Sequence, residues 1–280
     1  AQQALAALKA GWAVVVVSPH RGLLDRVARQ AVDTPTQWLD LEYGHRSAHL
    51  ALVSAEEWET RSDRAVTEPM QTFLADLGVD VHLPAVATFC QHLIRALTSA
   101  ARHAGRDLSF TDLYAVSRST QALRAFLLDW HCLPGPHAQE LLAYLDDEAG
   151  YVQAVTILSA IRTALEPLNS GPLHTLCQPP FLNVSQLLGE RGLLLVPMTD
   201  ADFPGNDRLL SAMLDLTLNR FVANPDHPRL ALHLHDPHIY HIDHGQRWVD
   251  AARQDPRLTL LLDTQQPERY TPREGAQLVF

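Results

Sequence analysis

The spacing of apolar side chains along this chain changes character twice. Residues 2–10 repeat Ala and Leu at helical spacing and stop at Gly11. Trp12 to Val17 then runs without a polar break and is rich in β-branched residues, the pattern of a strand covered on both faces. Ser18-Pro19-His20-Arg21-Gly22 reads as a turn. Leu23, Leu24, Val27 and Ala28 mark a helix broken by Pro35, and Gln37–Glu42 carries Trp38, Leu39 and Leu41 as a second short strand. Helix, strand, turn, helix, strand is the order of a parallel sheet wound with crossovers.

From about residue 56 the period becomes helical and stays so. Helices are expected roughly over 56–78, 84–104, 109–116, 119–130, 137–147 and 148–168, with only Val79–His82 suggesting a short extended piece. Ser109 with Asp112, Ser119 ahead of Ala122, and Pro84 supply start signals. After Phe181 the first pattern returns: a buried strand Leu193–Val196 ended by Pro197, a loop holding Asp200, Asp202 and Gly205, and a helix at about 207–223. A strand at 229–235, a helix at about 243–254 and a strand Leu258–Leu262 complete the series. The expected architecture is α/β, a mostly parallel sheet built from residues 1–55 and 177–280, interrupted by an all-α insertion over 56–176.

Composition narrows the function classes. No apolar run approaches the roughly 20 residues of a membrane span, and Ala1–Trp12 reads as the middle of a helix and not as a cleavable leader. Cys90, Cys132 and Cys177 are odd in number and far apart. That spacing suits neither zinc nor a disulfide framework, so they are expected to be buried fillers in a reducing, cytoplasmic setting. The net charge of −10 argues against a broad basic surface for nucleic acid, though not against a local arginine-lined contact in an oligomer pore. Lys9 is the one lysine and is followed by Ala10-Gly11, so these residues hold no GxxxxGK[ST] phosphate loop.

Chemistry-bearing residues concentrate in Arg229–Gly245. This apolar strand delivers Asp236 at its C-terminal end, where open α/β sheets place their sites. Asp236 could hold Mg²⁺ through water or simply cap the turn at Pro237. His233, His235, His238, His241 and His244 lie at spacings that zinc can use. Neither HExxH nor a companion Cys pair accompanies them, His233 and His235 fall on a covered strand face, and no zinc is expected. Ser18 and His20 are too close in one turn for a nucleophile and its base. Asp200 and Asp202, beside Pro204-Gly205, read as solvated turn formers. Trp12, Trp38, Trp58, Trp130 and Trp248 are scattered as packing residues.

Four segments, in this order, resemble the motor domain of the HerA/FtsK branch of P-loop ATPases, and within it the coupling proteins (conjugative DNA-transfer ATPases of type IV secretion). Gly11–Ala28 (GWAVVVVSPHRGLLDRVA) is similar to the family's strand-turn-helix bearing Asp-Pro-His-Gly, and an all-α insertion follows it, as in the coupling proteins. Phe181–Met198 is similar to the segment leading to the strand before the Walker B strand. Arg229–Tyr240 and Leu258–Gln266 resemble the Walker B strand and the later strand ending in a glutamine.

The resemblance implies a RecA-like P-loop NTPase-type fold, ATP and Mg²⁺ as cofactors, DNA as a partner, and a ring-type homo- or hetero-oligomer. It assigns Mg²⁺ to Asp236, phosphate sensing or coupling to Gln265, contact with a neighbouring subunit's phosphate to Arg253, and nucleotide binding to Ser18, His20 and Asp236. Bland readings stand beside these: Gln265 as a polar residue leaving a strand, Arg253 as a helix-end cation favoured by the macrodipole.

Three departures matter. Ser18 replaces the family's Asp and Arg21 its Gly. Pro237 stands where the second Walker B acid orients the attacking water, and proline can neither take that proton nor donate a hydrogen bond. By the resemblance, the P-loop would stand just ahead of residue 1. The expected function is a degenerate ATPase-like module of a DNA-transfer motor. The alternatives are an active translocase whose P-loop lies upstream, and a non-enzymatic scaffold paired with an active ATPase.

Overall fold

Four successive valines, Val14–Val17, are buried on both faces because two further strands flank them and helices cover them. The computed structural model describes residues 1–40, 47–53, 63–129, 135–169, 171–198, 206–224, 226–235 and 242–263. The chain divides into two compact units, Ala1–Ala48 with Asn183–Phe280, and His49–Leu182. The sequence placed these boundaries at 55/56 and 176/177.

In the first unit, helix α1 (Gln2–Lys9) turns through Gly11 at φ +78° into strand β1 (Ala13–Ser18). That left-handed turn is a conformation glycine adopts without penalty. Helix α2 (Arg21–Gln30) leads to strand β2 (Thr36–Trp38), shorter than the expected 37–42 segment, whose Leu41 and Glu42 lie outside the described residues.

The second unit begins with strand β3 (Ala51–Val53) and continues through helices α3 (Asp63–Asp76) and α4 (Pro84–His103) to strand β4 (Leu108–Ser109). Helices α5 (Phe110–Ser117), α6 (Thr120–Asp129), α7 (Pro136–Asp146) and α8 (Glu148–Leu165) follow. A 3₁₀ turn (Glu166–Asn169) and helix α9 (Pro172–Leu176) end the described elements of the unit. The start signals act as expected: Ser109 and Asp112 form a reciprocal capping box, Ser119 accepts from Ala122 N–H, and Pro84 opens α4. The all-α expectation needs one correction, because β3 and β4 pair as an antiparallel ribbon. Strands of three and two residues are too short to show a period of two. Val79–His82 is not a strand: Gly78 at φ +88° sends Val79 N–H back to Leu74 C=O.

One close approach in this unit yields a test. Gly150 lies in the first turn of α8, its N–H held by the Asp147 carboxylate at 2.8 Å, and a Cβ there would stand 2.3 Å from the Tyr144 carbonyl oxygen. Gly→Ala in a helix ordinarily stabilises. Here the clash with fixed backbone reverses the sign, and Gly150→Ala is expected to cost about 1–2 kcal/mol. Gly22→Ala, in α2 with nothing within 4 Å, is expected to raise stability by about 0.5–1 kcal/mol. Thermal unfolding of both variants checks the contrast, and equal shifts would show that α7 and α8 yield at this contact.

The chain re-enters the first unit through helix α10 (Val184–Gly189), capped by Asn183 Oδ1 accepting from Gln186 N–H. Strand β5 (Leu193–Pro197), helix α11 (Asn206–Val222), strand β6 (Leu230–His235), helix α12 (Ile242–Gln254) and strand β7 (Leu258–Asp263) complete it. The five strands lie in the order β2-β5-β1-β6-β7 and every pair is parallel. On one face Ala4, Leu24 and Val27 pack against Val14, Val16, Leu193, Leu195 and Ala231. Helices α10, α11 and α12 cover the other. The chain thus moves outward from β1 to β2 through α2 and in the opposite direction, across the other face, from β5 to β6 and β7. Strand order reverses where β1 meets β6, and in open parallel sheets ligands bind outside the carboxyl ends at such a reversal. Among the described residues, no helix is long and apolar enough to cross a membrane.

Candidate functional site

Because β1, β6 and β7 are parallel and in register, their last residues form one rim. Val17 is level with Leu234, and His235 with Asp263, so Ser18, His235 and Asp263 stand side by side. Ser18 is fully buried, and its Oγ accepts from the His20 N–H at 3.1 Å while its carbonyl accepts from Met198 N–H. It therefore shapes the turn. His20 is exposed and precedes α2, its carbonyl accepting from Leu23 and Leu24. Arg21, where the resemblance expects glycine, reaches Asp40 at 2.5 Å and lies 5.7 Å from the Trp38 ring centroid. That side chain binds the start of α2 to the end of β2.

On β6, His233 is only 3 % exposed and its Nε2 has no hydrogen-bond partner among the described residues. Burial, the neighbouring His235 and the terminal amine lower its pKa to about 3, so the ring is neutral at physiological pH. His235 Nδ1 meets Asp263 Oδ2 at 3.0 Å across to β7. Asp236, Pro237, His238, His241, Gln265, Asp200 and Asp202 lie outside the described residues. His244 belongs to the first turn of α12. Among the described residues, no group of three or more His, Cys, Asp or Glu side chains could hold a metal ion. Cys90 and Cys177 are buried, which pushes the Cys90 thiol up to about 12 and Cys177 well above its usual range, so neither is a nucleophile at neutral pH.

Arg253 does not share the rim of Ser18 and His20. It sits in the last turn of α12, a few residues before β7 begins, at the amino ends of the strands. One guanidinium nitrogen donates to Asp250 at 3.1 Å, while Nε and Nη2 are buried with no hydrogen-bond partner among the described residues. The same lower rim holds a constellation that periodicity did not reveal. Buried His227 donates from Nδ1 to the Pro228 carbonyl and meets Asp255 Oδ2 at 3.1 Å from Nε2, and Arg257 forks onto Asp255 with Nε and Nη2. The Arg257 guanidinium holds the Asp255 carboxyl well below the usual range. The signal was Asp255-Pro256-Arg257, a turn placing acid and base on one side. The constellation joins the entrances of β6 and β7.

No protein-family model and no curated protein matches the sequence. Solved structures do match. A bacterial conjugative coupling protein, TrwB lacking its N-terminal 70 residues, aligns over 94 % of this chain at 15 % identity and TM-score 0.56, using 57 % of its own length. The plasmid coupling protein TrwB with the GTP analogue GDPNP gives TM-score 0.58, also at 15 % identity, covering 94 % of this chain and 59 % of that one. Its fold is that of the conjugative coupling proteins. The complex of TrwB with the ATP analogue ADPNP agrees, at 16 % identity and TM-score 0.54 over the same 94 % of this chain and 59 % of its own. This chain spans less than two thirds of the length of these structures. The coupling-protein fold is thus the P-loop NTPase-type α/β architecture that the order of motifs implied.

Proposed function

We propose that this chain is an ATPase-like module of a conjugative-transfer type DNA motor in which hydrolysis is impaired. The observation that carries the reading is the alignment of nearly the whole chain, insertion included, with coupling-protein structures, two of them holding nucleotide analogues. The nucleotide would lie at the rim where β1 meets β6, outside the carboxyl ends of the parallel strands. Ser18 and His20 would border the nucleotide and Asp236 would hold Mg²⁺ through water. Gln265, two residues beyond β7, would face the terminal phosphate. Arg253, at the opposite rim, would act only on a nucleotide of an adjacent copy in a ring. ATP with Mg²⁺ would supply a phosphoanhydride open to attack by water. Pro237 cannot orient or deprotonate that water, which favours binding without efficient turnover.

The deciding measurement is ATP hydrolysis by the full-length protein, with and without DNA, beside equilibrium binding of a nucleotide analogue. The expected result is nucleotide binding, weakened by Asp236→Ala, with hydrolysis no faster than background. DNA-stimulated turnover abolished by Asp236→Ala would overturn the impaired reading in favour of an active translocase. Absence of nucleotide binding would leave the non-enzymatic scaffold as the function.

A further inference from the structure

Two histidines far apart in sequence meet in the second unit. His92 on α4 and His137 in the first turn of α7 bring their Nδ1 atoms to 3.2 Å, with ring centroids 5.3 Å apart. Both residues are half-buried. The two helices pack directly on one another, and Phe89 of α4 meets Tyr144 of α7 with ring centroids 5.3 Å apart.

The spacing is that of two ligands on one ion. With zinc–nitrogen bonds of about 2.0–2.1 Å and a tetrahedral angle, two ligand nitrogens stand about 3.3 Å apart. We propose that His92 and His137 form a two-imidazole site for a divalent transition-metal ion of the zinc, nickel and copper class, clamping the start of α7 to α4. Imidazole nitrogen suits these ions and does not suit magnesium or calcium. No third protein ligand is present among the described residues, so water completes the coordination and the site is an open one. The sequence offered no such site: its expectation of no zinc rested on cysteine spacing and on the His233–His244 stretch, whereas these two residues lie 45 positions apart. The inference does not depend on the motor reading, because it concerns the helical unit alone.

The test uses the full chain, purified with chelator and titrated with Zn²⁺ in competition with a chromophoric chelator. One ion is expected to bind in the micromolar range and to raise the thermal midpoint, an effect that chelator reverses. His92→Gln and His137→Gln are each expected to weaken this binding by roughly tenfold or more, since a chelate becomes a single ligand. His103→Gln, at the end of α4, should leave it unchanged. Copper bound to the wild-type protein should show two nitrogen ligands by electron paramagnetic resonance, a readout that stands even if a variant fails to fold. Binding that survives both substitutions, a copper signal without two nitrogens, or no binding at all would overturn the proposal. The pair would then be an ordinary N–H···N hydrogen bond.

Discussion

Acidification from pH 6.5 is expected to weaken the sheet unit before its carboxylates titrate, and the loss will follow His233. In the unfolded chain this ring takes a proton near pH 6.5, whereas in the fold burial, reinforced by His235 and the terminal amine, lowers its pKa to about 3. Between those values the unfolded state binds the extra proton. The contribution of His233 is therefore full above pH 6.5 and is lost as pH falls toward the folded value. Each unit of pH in this window is worth about 1.4 kcal/mol, so a fall of about two units removes on the order of 2–3 kcal/mol. His233→Leu replaces the ring with an apolar group of similar size. It should abolish this slope and gain about 1 kcal/mol at neutral pH, because the unpartnered Nε2 disappears. Guanidinium unfolding midpoints across the pH range, for wild type and variant, provide the check. Parallel pH slopes would mean that His233 acquires its proton inside the fold.

Asp215→Ala is expected to cost about 2–4 kcal/mol. The carboxylate lies in the middle of α11, 2 % exposed, and accepts from Trp248 Nε1–H at 2.7 Å, with an Arg247 guanidinium nitrogen at 3.7 Å. Truncation strands the indole N–H of a fully buried tryptophan and opens space between α11 and α12. Arg247 is partly exposed and can turn to water, which keeps the loss below that of a fully enclosed ion pair. Asp215→Asn retains an acceptor at the same place and should recover most of the stability. Denaturant unfolding followed by intrinsic tryptophan fluorescence distinguishes the two variants. A loss equal in both would assign the effect to charge and not to the indole hydrogen bond. Because α12 leads into β7, this contact also positions the strand that ends in Asp263.

Much of the fold was legible along the chain because the relevant information is local. The unbroken apolar runs Val14–Val17 and Leu193–Val196 can only be strands covered on both faces. Ser109-x-x-Asp112 announces a helix start because both halves of the cap lie within one turn. The β3–β4 ribbon was missed because its strands are three and two residues long, and its pairing depends on contacts across more than fifty positions. The candidate site was legible only as positions on strands. That Ser18, His235 and Asp263 share one rim, and that Arg253 lies at the other, follows from register and from the antiparallel run of α12.

Residue order alone decided the kind of most elements, the parallel α/β class of the sheet, and the placement of Pro237 after Asp236. All of these depend on side chains within a turn or a strand of one another, where period and capping act directly. Tertiary structure decided the strand order, the neutral state of buried His233, the Asp215–Trp248 bond, the clash awaiting a side chain at Gly150, and the meeting of His92 with His137. Each joins groups from different elements, and their distance is set by how the chain closes on itself. No local pattern carries that distance.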